Sequence, residues 1–288
     1  MSAIHRHLVF GILLSCLAAG WLAADPLLDL DVLDDDSLSI ITSDDRRDRR
    51  LDALQARENG AFNTGERLVY SVRYGIIRAG EATLHVERTT TFNGRPCYHL
   101  VATAQSNDFF SGVFRVDDRM ESYLDADYLL PWMFEKRLHE GSFEAYQRIE
   151  LDQVNQLATY HDGKVIEMDR NAQDYLSVLY YLRSMDLQPG FREALRTHAD
   201  KKNVELEIEV VGRETVDTPA GKFDCVVLEP HILLDTGLYD SKKGKLLVYL
   251  TDDERKLPVL FKIKVFFGSL ILTLTDLEEG SDQNGTVP

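Results

Sequence analysis

From Val204 to Val210 every second residue is aliphatic and each residue between is glutamate. That period of two is the signature of a half-buried β-strand, in which successive side chains point to opposite faces. The same alternation governs most of the chain. Leu68, Tyr70, Val72, Tyr74 and Ile76 are predicted to share one face, with Ser71, Arg73 and Gly75 opposite. After the short Arg78-Ala79-Gly80 break, Ala82, Leu84 and Val86 alternate with Thr83 and His85. Asn93-Gly94 tolerates the positive φ of a tight hairpin and leads into Cys97–Ala104. Further strands are expected at Val113–Leu124, Trp132–Leu138, Phe143–Leu151, Leu157–Tyr160 and Val165–Met168, then at Phe223–Leu228, Leu246–Thr251, Leu257–Phe266 and Leu270–Leu277.

One segment departs from this period. Tyr175, Leu176, Val178, Leu179 and Leu182 recur at helical spacing, which predicts a helix over Asn171–Met185 with Asn171 as cap and Pro189-Gly190 beyond its end. It is apolar nearly all round and so needs a surface to cover it. Many short antiparallel strands must also manage their edges. Together these predict a mainly antiparallel β fold, a curved sheet or half-barrel packed on one central α-helix. No linker interrupts residues 62–278, so they are expected to form a single β-rich domain, long enough for one core.

The N-terminus reads differently. Arg6 with His5 and His7 precedes the unbroken apolar run Leu8–Ala24, the pattern of a secretory signal over residues 1–24. The run is near the lower limit for a membrane span, so a retained anchor is the rival reading. Ala23-Ala24 offers a cleavage site before Asp25, while Leu13-Leu14-Ser15-Cys16 resembles a lipobox and makes Cys16 a candidate for lipidation. Residues 25–61 form an acidic arm rich in Asp, with a short helix expected from Ser43, and residues 279–288 a frayed tail.

The formal charge is −16, from 48 acids against 32 bases, which leaves no basic face for nucleic acid. Beyond Cys16 the chain holds Cys97 and Cys225. In an oxidising compartment they are a candidate disulfide, and equally they could be two buried thiols packing as small hydrophobes. Neither Cys-x-x-Cys nor His-Glu-x-x-His occurs, and no metal or cofactor motif is present.

Several motifs stand in a distinctive order: Gly65-Glu66-Arg67-Leu68 with Tyr70, Ala79-Gly80 with Ala82, Arg119 with Glu121-Ser122, Asp174-Tyr175-Leu176-Ser177, Thr218-Pro219-Ala220-Gly221-Lys222-Phe223-Asp224-Cys225, Thr251-Asp252-Asp253 with Leu257-Pro258, and Gly268-Ser269. In this order they resemble the bacterial envelope domain-of-unknown-function family 3108 across essentially all of Phe62–Leu277. The resemblance implies an exported protein of Gram-negative-type bacteria and brings no catalytic residues. The closing strands are also loosely similar to periplasmic lipoprotein-carrier proteins, whose curved half-barrel covers a helix and holds acyl chains.

Acid pairs are the available catalytic candidates. Asp117, Asp118 and Glu121 sit near Arg119, and Asp252 and Asp253 near Arg255. A polysaccharide hydrolase would hold two such acids across a cleft; an ion-pair ladder on one strand face is the plainer reading. Trp132, Phe134, Tyr180, Tyr181, Phe261 and Phe266 are candidates to line a cavity for an apolar or lipid-like ligand, against the default of a filled core. The expectation is therefore a non-enzymatic envelope protein, periplasmic or at the periphery of the outer membrane, that binds an apolar or amphiphilic ligand. A hydrolase, or a scaffold docking an envelope protein through its acidic arm, is the alternative.

Overall fold

The computed structural model describes residues 56–57, 59–233, 245–265 and 268–281. The leader with Cys16, the acidic arm up to residue 55 with its expected helix, and Phe266 lie outside them. The strands are Arg67–Tyr74 (β1), Ile77–Phe92 (β2), Arg95–Ser106 (β3), Asp117–Asp125 (β4), Pro131–Glu140 (β5), Phe143–Asp152 (β6), Leu157–Tyr160 (β7) and Val165–Glu167 (β8). They continue as Arg192–Ala199 (β9), Lys202–Thr218 (β10), Gly221–Leu233 (β11), Lys245–Thr251 (β12), Pro258–Val265 (β13) and Gly268–Glu278 (β14). Two short helices, Asp108–Ser111 (α1) and Ser177–Arg183 (α2), interrupt them.

All fourteen strands join one sheet in the order β8-β7-β6-β5-β4-β3-β2-β1-β14-β13-β12-β11-β10-β9. Every neighbouring pair is antiparallel, and all but β1–β14 are consecutive in sequence. Register shifts at Val72/Arg73, Val86/Arg88, Tyr123/Leu124 and Val210/Gly212 add local twist and bend the sheet. The curl brings its two edge regions together through side chains. Asn203 donates to the Glu167 carbonyl at 3.0 Å, Lys201 N–H donates to the Tyr160 hydroxyl at 2.7 Å, and that hydroxyl meets His198 Nε2 at 2.9 Å.

The inward face carries the alternate apolar residues that the period of two predicts. Leu68, Tyr70, Leu84, Leu100, Met120, Phe134, Ile149, Phe261 and Leu272 fall in one buried cluster, together with Leu176, Val178, Leu179 and Leu182 from the segment between β8 and β9.

That segment corrects the expected helix: α2 has seven residues, not the fifteen of Asn171–Met185. Asn171 has φ 59° and cannot cap a helix there. Gln173 instead bridges to Thr197 of β9 as a parallel strand residue. Asp174 Oδ1 then accepts the Leu176 and Ser177 N–H groups, a turn that delays the first helical residue. The description of a half-barrel on one central helix therefore gives the helix too large a share; the sheet itself is the architecture. Two smaller corrections follow the same logic. Val113 and Ile76 were expected in strands, but β4 begins at Asp117 and β1 stops at Tyr74, so both stand in connections. β9 was not anticipated, although Leu195, Thr197 and Ala199 alternate inward.

Because neighbours are antiparallel, the connections divide between two ends of the sheet. One end, the clasp end, carries the β2–β3, β4–β5, β6–β7, β10–β11 and β12–β13 turns. The other, the rim end, carries the β1–β2, β3–β4, β5–β6, β7–β8 and β9–β10 connections.

Candidate functional site

Eight large hydrophobic side chains are exposed among the described residues, and six of them belong to the rim end; the exceptions are Tyr146, within β6, and Val211, midway along β10. Ile76 is 89% exposed, Phe109 74% and Val113 73%, values at which a side chain makes almost no contact within its own molecule. Ile77 and Phe143 continue the patch, and Tyr146 and Val165 lie beyond it. Scattered surface apolar residues need no explanation, whereas a contiguous set does.

The contiguity is built by the backbone. Gly75, at φ 57°, turns β1 into β2 and leaves Ile76 at the tip, where Arg73 donates to the Ile76 carbonyl at 3.0 Å. Asn107 staples the next connection to this turn: its backbone N–H donates to Ala79 O at 2.9 Å and its side-chain amide to Arg78 O at 2.8 Å. The same side chain caps α1 by accepting the Phe110 N–H at 2.8 Å. Phe110 and Phe114 then turn toward the core while Phe109 and Val113 face out. Phe114 in turn lies over Gly141, where an added Cβ would come within 2.9 Å of its ring. That links the α1 connection to the β5–β6 turn and Phe143. Beneath the rim, Gly80 lets β2 and β3 close up, since a Cβ there would sit 2.0 Å from Gln105 O. The Ala79-Gly80 motif is thus a close-approach device.

Inside the same end lies a second feature. Asp118 and Glu140, both buried, face each other under the α1 connection. Burial pushes both carboxyls above the usual range, and for Glu140 the neighbouring Asp118 adds to it; His139 N–H, donating to Asp118 Oδ1 at 2.8 Å, opposes the rise for Asp118. The pair can hold one proton between them. In the β9–β10 turn, burial would raise Asp200 as well, but Lys136 and the Tyr175 hydroxyl, donating at 2.6 Å, hold it below its ordinary value. Asp200 in the β9–β10 turn is thereby tied to Lys136 of β5.

The sequence-predicted site residues are not brought together. Phe134, Tyr180 and Phe261 are buried in the main cluster, with edge-on partners Tyr175, Phe62 and Tyr70. Trp132 faces a separate cluster with Cys97 and Val154, and donates to Asp125 Oδ2 at 2.7 Å. Tyr181 is half-buried under Arg57, 4.5 Å from its ring centroid. The candidate disulfide is not formed: Cys97 on β3 and Cys225 on β11 are free thiols in different environments, six strands apart in the sheet. Burial pushes each thiol up to about 12, so neither is a reactive thiolate.

The acids weighed for hydrolysis are likewise apart. Asp117 is exposed and Asp118 buried, on opposite faces of β4; Asp252 and Asp253 lie at the other end of the sheet. Asp252 pairs with Arg213 at 2.7 Å, and Asp253 accepts the Arg255 and Lys256 N–H groups in its own turn. On the outward face Arg119 bonds Glu121 at 2.7 Å, an ordinary ion pair. No group of three His, Cys, Asp or Glu side chains could hold a metal among the described residues, and no helix there is long and apolar enough to cross a membrane.

The model of the family described as "Protein of unknown function (DUF3108)" matches residues 69–275. The chain belongs to this family. Among solved structures, the chain is similar to a β-barrel-like protein of the DUF1849 family from Brucella abortus, at 11% identity over 77% of this chain and 100% of that one, with a TM-score of 0.51. That likeness bears on fold alone. Weaker likenesses, which carry no argument, are to a Parabacteroides distasonis chain described as a candidate lipoprotein (10% identity, 78% and 100% covered, TM-score 0.36) and to a Bacteroides fragilis chain described as a candidate exported protein with a YmcC-like fold (12%, 77% and 100%, TM-score 0.29). No curated protein matches.

Sequence reasoning missed the rim because it assigned Ile76 and Val113 to strands. Gly75 and the Asn107-Asp108 pair were the available signals, since both mark turns. Glu140 was missed as the partner of Asp118 because the two are close only after β4 and β5 pair.

Proposed function

We propose that the protein is an exported, non-enzymatic member of the bacterial envelope that binds an amphiphilic, lipid-like ligand at the rim end of its sheet. The observation that carries the reading is the contiguous apolar rim of Ile76, Ile77, Phe109, Val113 and Phe143, held out by Asn107 and Gly75. The leader at residues 1–24 supports delivery to the periplasm or the periphery of the outer membrane. In this reading the aromatic residues Phe134, Tyr180 and Phe261 pack the interior beside the short α2, and ligand contact lies at the strand ends. The test is calorimetric titration of the purified protein with lysophosphatidylglycerol below its micellar concentration, beside mass spectrometry of gently purified protein from its source. Heat that Phe109→Ser weakens, or a co-purifying lipid, supports the reading; a silent titration with no lipid carried along overturns it.

A further inference from the structure

Resting on that reading, we propose that the rim docks the protein on an intact bilayer surface bearing anionic phospholipid headgroups. Charged side chains stand around the apolar patch in a telling arrangement. The chain is strongly acidic, yet Arg73, Arg78 and Arg115 are exposed and flank Ile76, Ile77, Phe109 and Val113. Among the described residues no carboxylate pairs with Arg73 or Arg78, and Arg115 reaches only Asp117, at 3.5 Å. Lys164 and Lys201 extend the basic side toward the β7–β8 and β9–β10 turns, Lys201 in contact with Asp162. Exposed acids stand at this end as well, Glu81, Asp108, Asp117, Glu144 and Asp162, with Glu144 3.2 Å from His139, so Arg73 and Arg78 are set apart by having no carboxylate partner among the described residues rather than by any excess of bases.

The clasp end is the reverse. Asp127, Asp217, Asp252, Asp253 and Glu254 are exposed there, and no exposed large hydrophobic side chain stands in its turns among the described residues. A body with an acidic end, and with Arg73 and Arg78 unpaired beside apolar tips at the other, is oriented by a negative surface, rim first. Once it arrives, the isoleucine and phenylalanine tips enter the headgroup boundary while the guanidinium groups meet phosphates. A neutral apolar partner would make no use of the unpaired arginines, which is why the anionic surface is the occupant the geometry favours.

The test is vesicle flotation of the exported protein as recovered from cells. Vesicles of phosphatidylcholine mixed with phosphatidylglycerol are compared with vesicles of phosphatidylcholine alone. Wild type should float with the mixed vesicles and far less with the neutral ones, and added salt should weaken it. Combined Ile76→Ser and Phe109→Ser, and separately Arg78→Glu, should each lower the bound fraction by about tenfold in partition constant. Val211→Ser, an exposed apolar residue away from the rim, should leave it unchanged and serves as the matched control. Equal flotation on both vesicle types, or rim variants that float like wild type, overturns docking. If lysophosphatidylglycerol still binds in that case, only the bilayer proposal fails; if it too is silent, the amphiphile reading fails with it.

Discussion

The two ends of the sheet solve the same problem, how to join antiparallel strands, with opposite chemistry. At the clasp end the turns satisfy themselves. Asp125, Asp152 and Asp253 each accept two backbone N–H groups from the residues just after them, the Asx pattern that lets a turn stand in water. That end is also tied across its width by Arg183. Its guanidinium grips both Glu66 oxygens at 2.6 and 2.7 Å and donates to Ala61 O and Arg255 O. At the rim end the turns put isoleucine, valine and phenylalanine outward. The fold has no need of those side chains, since they bury nothing. The difference shows that strand connections on one sheet can serve stability at one end and contact at the other.

The sharpest way to break the comparison is to cut the clasp. Arg183→Ala leaves Glu66 buried without its partner and should cost about 3–5 kcal/mol, read as a large fall in the urea midpoint. Arg183→Met with Glu66→Gln should recover part of that loss. Next, Asp125→Ala removes bonds to Arg95, Trp132 and two backbone N–H groups and should cost about 3 kcal/mol. A result near zero for either would show that the clasp end is not the stabilising one.

A pH series separates the ends further. Glu140, raised from an ordinary 4.5 to about 8, keeps its proton in the folded chain longer than in the unfolded one. Stability should therefore fall as pH rises through that window and level off above it. Asp118, Asp117, His139 and Lys136 are the charged groups around it. Glu140→Gln should remove most of the slope, leaving the variant more stable than wild type above about pH 8; parallel melting curves for the two proteins would contradict the shared proton. Tyr180→Phe should raise stability by about 1 kcal/mol, because its hydroxyl is buried with no hydrogen-bond partner among the described residues. Smallest of all, Ile76→Ser and Phe109→Ser should shift the melting temperature hardly at all, within about 0.5 kcal/mol. A marked destabilisation there would return the rim to the core.

The strands were legible because alternation survives in a single sequence: Val204–Val210 and Leu68–Tyr74 place their apolar residues on the face that the structure buries. Helix α2 was only half legible. Its apolar spacing is real, but the hydrogen bonds of Asp174 and the strand-like pairing of Gln173 decide where it starts, and both depend on residues far along the chain. The rim was the least legible. An isoleucine two residues past the end of a strand continues the period of two perfectly, so pattern alone cannot distinguish Ile76 from the core. Only the positive φ of Gly75 does so. Asp118 and Glu140 show the same limit, since proximity across a hairpin is set by register.

The pairing of β1 with β14 has a consequence for how such a chain comes into being. Tyr70 lies opposite Leu274 and Val72 opposite Leu272, so the middle of the sheet joins its first strand to its last. Half of the seam is synthesised first and waits for the other half, which arrives last. Until the closing strand emerges, each flank is an open hairpin series with a bare edge, and cooperative completion is deferred.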